Sequence, residues 1–280
     1  MTTVTPPDSA LPGAPLSGGA GCYWLESPRG DAPPPQALRG DQTADVVIIG
    51  GGFTGLSAAL HLSESFPERR ILLLEAARIG YGASGQNSGL LLPFINGAEE
   101  IVQDLLRAGR EGDARHVYQE TSAGIGIIED LIAEHGLDCE WERVDAMRTA
   151  LTARHERQLE REREMYAALG VEAEWVPRAA LRPRVDPAKY RGALRIKSRA
   201  MVHPGKLARE VRALVQARGV QIHEESPVLE IVPGATVTVR TPAGSVRAPA
   251  LVLATNAYTG QLGMFRRRIL PVHCYCIATE

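Results

Sequence analysis

The sequence predicts an α/β fold in which a discontinuous domain with a parallel sheet is interrupted by a mixed α+β domain. Three observations lead to this prediction. The apolar, β-branched run Val46–Ile49 ends at a glycine-rich turn, and a second apolar run, Ile71–Leu74, follows within about 30 residues, the length of one βαβ unit. The middle of the chain, residues 97–184, is mostly helical in character. Short apolar runs separated by turn residues return after it, at residues 220–254.

Composition and net charge limit the classes of protein to which this chain can belong. The chain has 280 residues, of which 44% are hydrophobic and 23% charged, and this is typical of one or two globular domains. A net charge of −2 gives no electrostatic reason to expect a nucleic acid as partner. The sequence shows no secretory signal and no apolar run of the roughly 18 residues that a membrane helix needs. Its four scattered cysteines do not suggest a disulfide framework, and we expect a cytoplasmic protein without a membrane span.

The first part of the chain contains an arm and the βαβ unit. Residues 1–40 are rich in Pro, Gly, Ser and Ala, which predicts a flexible N-terminal arm. The segment Cys22-Tyr23-Trp24-Leu25 interrupts this composition, and we expect it to anchor the arm onto the globular body. Val46–Ile49 then predicts a strand that is buried on both faces of a parallel sheet. Residues 56–65 predict a helix, and Ile71–Leu74 the next strand.

The later elements follow from periodicity and turn residues. Residues 152–169 alternate arginine and glutamate in a pattern that predicts a charged, solvated helix. A strand, a helix that begins at Pro204 and four short strands come next, at residues 192–197, 204–218, 220–223, 228–232, 236–240 and 251–254. Two separated α/β segments around a mixed insertion therefore predict the discontinuous arrangement.

The turn Gly50-Gly51-Gly52-Phe53-Thr54-Gly55 lies directly between the first predicted strand and the first predicted helix, and it fits the pattern G-x-G-x-x-G. Gly50 allows a tight turn, and Gly52 lets backbone N–H groups approach a pyrophosphate. Gly55 lets the helix pack closely on the strand. The N-terminus of the helix adds unpaired N–H groups and a partial positive charge. The sequence therefore predicts a Rossmann-type dinucleotide site.

Glu75 sharpens this prediction because it ends the second strand about 20 residues after the last glycine of the turn. At that position a carboxylate can accept hydrogen bonds from ribose hydroxyls, whereas it would repel the 2′-phosphate of NADP. FAD or NAD is therefore favoured over NADP. A structural glycine-rich turn beside a surface glutamate is the alternative that involves no ligand.

The segment after Glu75 favours a flavin over a nicotinamide cofactor. Residues 78–89 form a long loop rich in glycine and amide side chains, where a nicotinamide-dependent dehydrogenase more usually has another helix and strand. From Asp45 to Asn87 the sequence resembles the D-amino-acid oxidase and glycine oxidase superfamily of FAD-dependent enzymes, in particular the γ-glutamylputrescine oxidase-like group. The resemblance continues more weakly through residues 201–207, 254–258 and 270–280. Residues 86–90 depart from it, since many relatives have an arginine and a second glycine there.

The resemblance implies a Rossmann-type FAD-binding domain at residues 41–97 and 200–262, with a partial mixed α+β substrate domain at residues 98–199 and 263–280. It implies FAD as cofactor and an oxidoreductase that converts the C–N bond of a small-molecule amine or amino acid to an imine. The residues that it places at the cofactor are Gly50, Gly52, Phe53, Thr54, Gly55, Glu75, Ala76, Arg78, Gly82, Ala83, Ser84, Gln86, Asn87, Val228 and Asn256. Among them, it places Ser84, Gln86 and Asn87 toward the flavin, Val228 in a strand beside the adenine, and Asn256 in the turn after a strand.

Two other functions stay open. One is an NAD-dependent dehydrogenase with an unusual loop after the second strand. The other is a truncated nucleotide-binding fragment without activity of its own, because members of the resembled family continue well beyond this length. The oligomeric state, including a homo-oligomer, is also open.

No catalytic residue and no metal ligand is predicted. A flavin can accept a hydride from the carbon beside a neutral amine, so the reaction needs neither a Ser-His-Asp triad nor paired carboxylates. His203 stands before Pro204, where a capping role is favoured over that of a catalytic base. Cys274 and Cys276 alternate in a predicted strand and share one face, which favours packing over a metal or redox pair.

Overall fold

The computed structural model describes residues 22–26, 34–94, 97–181, 189–265 and 268–270. The chain divides into two compact units, of which the first comprises residues 1–88 and 203–280 and the second residues 89–202. Most of the predicted N-terminal arm lies outside the described residues, and so does the predicted strand with Cys274 and Cys276.

The described residues form both strands and helices. The strands are β1 (Gly40–Thr43), β2 (Val46–Ile49), β3 (Ile71–Leu74), β4 (Leu90–Leu91), β5 (Glu142–Ala150), β6 (Ala173–Pro177), β7 (Gly192–Met201), β8 (Gln221–His223), β9 (Glu230–Val232), β10 (Val237–Thr241), β11 (Gly244–Ala248) and β12 (Ala250–Leu253). The helices are α1 (Tyr23–Glu26), α2 (Phe53–Ser65), α3 (Ala98–Arg107), α4 (Glu111–His135), α5 (Ala153–Ala168), α6 (Arg178–Leu181), α7 (Pro204–Ala217) and the 3-10 helix η1 (Asn256–Leu262).

The centre of the first unit is a parallel sheet with the strand order β12-β2-β3-β8. Ile48 of β2 pairs with Val252 on one side and with Leu73 on the other. Every residue of β3 is buried, and β2 is nearly so, because α/β sheets are covered on both faces. Both strands have the predicted bounds. Helix α2 begins at Phe53, before the predicted start at Leu56, since the glycine turn leads directly into its first turn.

A second sheet of the first unit has the order β1-β11-β10-β9. Strands β10 and β11 form an antiparallel hairpin, and β1 joins it parallel to β11. Val239 and Val246 of the hairpin are buried in one apolar core with Val47 and Leu72 of the parallel sheet. The sequence predicted neither β1 nor β11. The residues of β1 are polar and mostly exposed, and their partner strand lies far along the chain, so no local pattern marks them.

The division of the chain differs from the predicted boundaries chiefly in two segments. The described residues among 89–97 group with the second unit, whereas the sequence predicted them in the first domain. The sequence predicted that residues 263–280 belong with the second domain, but the described part of this segment groups with the first unit. Met264 packs, beside Leu262, against the apolar core of that unit, which explains the grouping. The assignment of the first unit to a cofactor and of the second to a substrate stays a prediction.

The second unit contains an antiparallel sheet in which β7 pairs with β4, β5 and β6. Helix α5 packs against β5 and β7, and α3 packs against α4. The sequence predicted a mostly helical segment here and missed β5 and β6. Strand β5 combines charged residues with a partly exposed surface, so its strand character depends on its pairing with β7 rather than on apolar alternation.

The charged helix predicted at residues 152–169 is found as α5, with Thr152 as its N-cap. The Thr152 hydroxyl accepts the N–H of His155. One charge departs from the solvated pattern, because Glu162 is buried and lies 2.9 Å from Arg148. Among the described residues, no helix combines the length and the apolar character that crossing a membrane requires.

Candidate cofactor-binding site

A pocket opens in the first unit at the carboxyl ends of β2, β3 and β12. The turn after β2, the loop after β3 and the segment after β12 form its wall. Parallel sheets of α/β proteins bind their ligands at this edge, beyond the carboxyl ends of the strands. The predicted cofactor residues that line the pocket are Gly50, Gly52, Thr54, Glu75, Ala76, Gly82, Ala83, Ser84, Val228 and Asn256.

Two of the three motif glycines occupy positions that exclude a side chain, and a side chain on the third would displace a neighbouring hydroxyl. Gly50 has a φ of 110°, and a Cβ there would collide with the backbone oxygen of Ala254. A Cβ on Gly55 would collide with the Gly50 backbone oxygen, so the start of α2 packs directly against the end of β2. A Cβ on Gly52 would come within 2.8 Å of the Ser84 hydroxyl. The turn is therefore tight, and its backbone is accessible from the pocket.

The carboxylate of Glu75 is fixed by the backbone on both of its oxygens. One oxygen accepts the Gly51 N–H at 2.7 Å, and the other accepts the Ala77 N–H at 2.9 Å. Burial raises the pKa of Glu75, and the nearby charge of Glu224 raises it further, while the backbone hydrogen bonds oppose the shift. Each carboxylate oxygen can accept a further hydrogen bond, so the group is directed into the pocket as a rigid acceptor.

The Ser84 hydroxyl lies at the N-terminus of α2. It accepts the N–H of Phe53, the first residue of the helix, at 2.9 Å. The first turn of a helix carries N–H groups without intrahelical partners and a partial positive charge. The pocket therefore combines an electropositive helix end with a hydroxyl that has a donor proton to offer to an anion.

Five of the predicted residues do not line the pocket, namely Phe53, Gly55, Arg78, Gln86 and Asn87. Phe53 contributes its N–H to Ser84, and Gly55 serves the packing of α2. The Arg78 guanidinium forms an ion pair with Glu225 at 3.0 Å instead.

The side chains of Gln86 and Asn87 close their own loop. The Gln86 amide donates to the backbone oxygen of Tyr81. The Asn87 amide donates to the backbone oxygens of Ala83, at 3.0 Å, and Ser84, at 2.8 Å. The expectation that both side chains point toward a flavin stays a prediction, because their described contacts are with this loop.

Val228 and Asn256 both lie on the pocket wall, Asn256 after a strand as expected and Val228 outside the strand in which it was expected. Val228 is buried just before β9 rather than within a strand. Asn256 begins the 3-10 helix η1 with a φ of 46°, in the left-handed region that asparagine tolerates better than most residues.

The pocket also contains polar side chains that the sequence did not single out, namely Tyr81, Ser226, Thr255, Tyr258 and Gln261. Burial raises the pKa of Tyr258, and the neighbouring Tyr81 and Glu75 raise it further. Tyr258 belongs to the segment 254–258 that carried part of the family resemblance. The direction of the Tyr258 side chain depends on the 3-10 helix after β12, and no hydrophobic periodicity in the sequence predicts that helix.

His203 has the capping role that the sequence favoured. Its Nδ1 accepts the Lys206 N–H at 3.1 Å, and the residue is the N-cap of α7. Among the described residues, no three His, Cys, Asp or Glu side chains converge in an arrangement that could hold a metal ion.

Comparison with known proteins identifies a family that this sequence matches. The model of a family described as DAO, FAD dependent oxidoreductase, matches residues 45–280. The chain is 32% identical over 244 residues to a probable oxidoreductase OrdL of Haemophilus influenzae. This match covers 85% of this chain and 56% of that protein. It is also 32% identical over 241 residues to gamma-glutamylputrescine oxidoreductase of Escherichia coli K12, with 85% and 55% covered.

The solved structures agree on the fold. Glycine oxidase from Geobacillus kaustophilus superposes with a TM-score of 0.63 at 23% identity, covering 79% of this chain and 58% of that one. The present chain thus spans a little more than half the length of these relatives.

Proposed function

The chain belongs to the DAO family of FAD-dependent oxidoreductases, and on that premise we propose that its first unit holds the ADP portion of FAD and that the protein oxidises the C–N bond of an amine or amino acid to an imine. The names of two relatives, gamma-glutamylputrescine oxidoreductase and glycine oxidase, support this substrate class. A small molecule is the partner that the reaction requires. We place the reaction in the cytoplasm, as the four scattered cysteines favour.

One observation carries the cofactor assignment. A carboxylate held on both oxygens by backbone N–H groups, that of Glu75, shares a pocket with the N-terminus of α2. The first feature suits the two hydroxyls of a ribose, and the second suits a pyrophosphate. Adenosine diphosphate contains both groups, and a 2′-phosphate would place a negative charge against Glu75.

The other pocket residues fit the same ligand. Gly52 has no side chain to keep a pyrophosphate away from the backbone of the turn. The Ser84 hydroxyl oxygen accepts the Phe53 N–H, and the hydroxyl can at the same time donate its proton to a phosphate oxygen. Val228 and Tyr258 offer apolar and aromatic surface for an adenine ring.

The bound flavin would supply the hydride acceptor for the carbon beside the amine nitrogen. The residues of this chain have the separate task of retaining and orienting the cofactor. No residue is assigned to proton transfer. A homo-oligomer is compatible with the proposal.

The first experiment is an absorbance spectrum of the purified chain after incubation with FAD and removal of free cofactor. Bands near ~370 and ~450 nm, which are those of bound flavin, are expected to be retained. Excess ADP should displace the flavin, whereas NADP should not. A colourless chain, or displacement by NADP as readily as by ADP, would overturn the cofactor assignment.

The substrate class is tested by anaerobic bleaching of the ~450 nm band. Primary amines, secondary amines and amino acids form one panel, and 2-hydroxy acids form the matched control panel. Bleaching by a nitrogen-containing panel member supports the proposal, and bleaching by hydroxy acids alone contradicts it. A chain that retains FAD but is bleached by neither panel would favour the second candidate, a nucleotide-binding fragment without activity of its own.

A further inference from the structure

The short helix α1 packs against the loop that follows Glu75, although it lies far from that loop in the sequence. The Trp24 indole N–H donates to the backbone oxygen of Asn87 at 2.6 Å. The Cys22 thiol donates to the Gly85 backbone oxygen at 3.7 Å. A Cβ on Gly85 would come within 2.9 Å of the Leu25 side chain, so the helix and the loop are in close contact.

Helix α1 also contacts the start of α7. The Trp24 ring meets the His203 ring edge-on, with 4.8 Å between the centroids. A Cβ on Gly205 would come within 2.6 Å of the Trp24 backbone oxygen. Because His203 caps α7, the indole packs against the N-terminus of that helix while it donates its N–H to the loop.

A chain of hydrogen bonds links this contact to the glycine turn between β2 and α2. Asn87, whose backbone oxygen accepts the indole N–H, uses its side chain to bind the backbone oxygens of Ala83 and Ser84. Ser84 in turn accepts the N–H of Phe53 at the N-terminus of α2. Trp24 is thus linked to the proposed pyrophosphate position through Asn87 and Ser84, all within the first unit.

We propose that Trp24 is a positioning residue for the cofactor. It holds the loop of residues 80–87, referred to below as the Ser84 loop, so that the Ser84 hydroxyl stays at the N-terminus of α2. The inference rests on the proposed function, since the ligand of that loop is taken to be the pyrophosphate of FAD. Loss of the indole N–H should leave the pocket formed but let the Ser84 loop open more often, which speeds the departure of the cofactor.

The test compares Trp24→Phe with Tyr23→Phe. The first variant keeps an aromatic ring and removes the N–H donor, whereas the second changes an exposed neighbour whose ring contacts Trp24. In the cofactor-free protein, amide hydrogen exchange should become about fivefold faster in the Ser84 loop and in the peptide that contains Phe53, as expected for the loss of one hydrogen bond. Tyr23→Phe should leave these peptides unchanged.

The same variants are then loaded with FAD, and the release of flavin is followed by the rise in its fluorescence. Trp24→Phe should release flavin roughly fivefold faster than the wild type, with a similar melting temperature. His203→Ala is the structural comparison, because it disturbs the cap of α7 without removing the indole N–H. If Trp24→Phe loosens α7 as His203→Ala does, or leaves the Ser84 loop unchanged, Trp24 is only a packing residue and the inference fails.

The two proposals fail in different ways. Unchanged exchange in the Ser84 loop of Trp24→Phe, together with FAD retained by the wild type, overturns the role of Trp24 and leaves the proposed function standing. Faster exchange in the Ser84 loop, together with a wild type that retains no FAD, overturns the cofactor assignment and with it the cofactor part of this inference. Faster exchange and faster flavin release together support both.

Discussion

At the scale of single residues, Glu75 combines an unfavourable effect on stability with a geometry that suits ligand binding. Its carboxylate is partly buried beside a second carboxylate, that of Glu224, and burial raises its pKa. Ionised groups in such surroundings cost stability, so we expect the carboxylate of Glu75 to serve ligand binding rather than the fold. The backbone N–H groups of Gly51 and Ala77 offset part of this cost and also fix the direction of the oxygens.

Glu75→Gln should therefore weaken ADP binding while sparing the fold. A glutamine has one acceptor oxygen in place of two, so it cannot keep both backbone hydrogen bonds and also accept both ribose hydroxyls. We expect the dissociation constant for ADP, measured by calorimetry, to rise by about tenfold. Glu225→Gln, at an exposed position outside the pocket, is the control and should bind as the wild type does.

The pH dependence of the same variant has a defined sign. The pKa of Glu75 is raised above its usual 4.5 in the folded protein, so the folded state holds the proton more tightly than the unfolded state. The wild type therefore loses unfolding free energy as the pH rises from about 4.5 through the folded pKa. The variant has no such titration, and its stability relative to the wild type should increase across this window in urea unfolding without nucleotide. A difference that is independent of pH would contradict this account.

At the scale of elements, the turn between β2 and α2 depends on the absence of side chains. Gly55 lies in the first turn of α2 against the Gly50 backbone oxygen, and that close contact is what lets the helix begin as soon as the strand ends. Gly82 lies in the loop after β3, where an added Cβ would meet no atom within 4 Å. Both glycines belong to the family-like segment, but only the first is required by packing.

Gly55→Ala should consequently lower the free energy of unfolding by about 2–3 kcal/mol, since an added methyl forces backbone atoms apart. Gly82→Ala is the matched control and should stay within about 0.5 kcal/mol of the wild type. Urea unfolding followed by circular dichroism measures both. Equal effects of the two substitutions would show that the contact between α2 and β2 does not restrict the residue at position 55.

The elements that could be predicted from the sequence are those with a local cause. The strands β2 and β3 are continuous apolar runs because both of their faces are buried, and the glycine turn between them has a fixed spacing. Strands β1 and β5 could not be predicted, because their partners β11 and β7 lie far away in the sequence and their own residues are polar or charged. The same holds for Tyr258, whose place in the pocket depends on how η1 leaves the sheet.

At the scale of the whole molecule, the chain consists of two units with separate apolar cores. Val47, Leu72 and Val239 belong to the core of the first unit, and Leu194 and Tyr166 to that of the second. Every residue that lines the pocket belongs to the first unit. Unfolding of such a chain need not be a single transition, so one melting temperature would be a poor measure of ligand binding.

Saturating ADP should therefore slow amide exchange in the first unit and leave the core peptides of β5 and β7 unchanged. A ligand at a hundredfold excess over its dissociation constant adds about 2.7 kcal/mol to the stability of the unit that binds it. Uniform slowing in both units would contradict an ADP site confined to the first. FAD extends beyond ADP, so the additional protection by FAD marks the residues beside the flavin. If Gln86 and Asn87 lie there, as the family resemblance implies, their amides should be slowed more by FAD than by ADP.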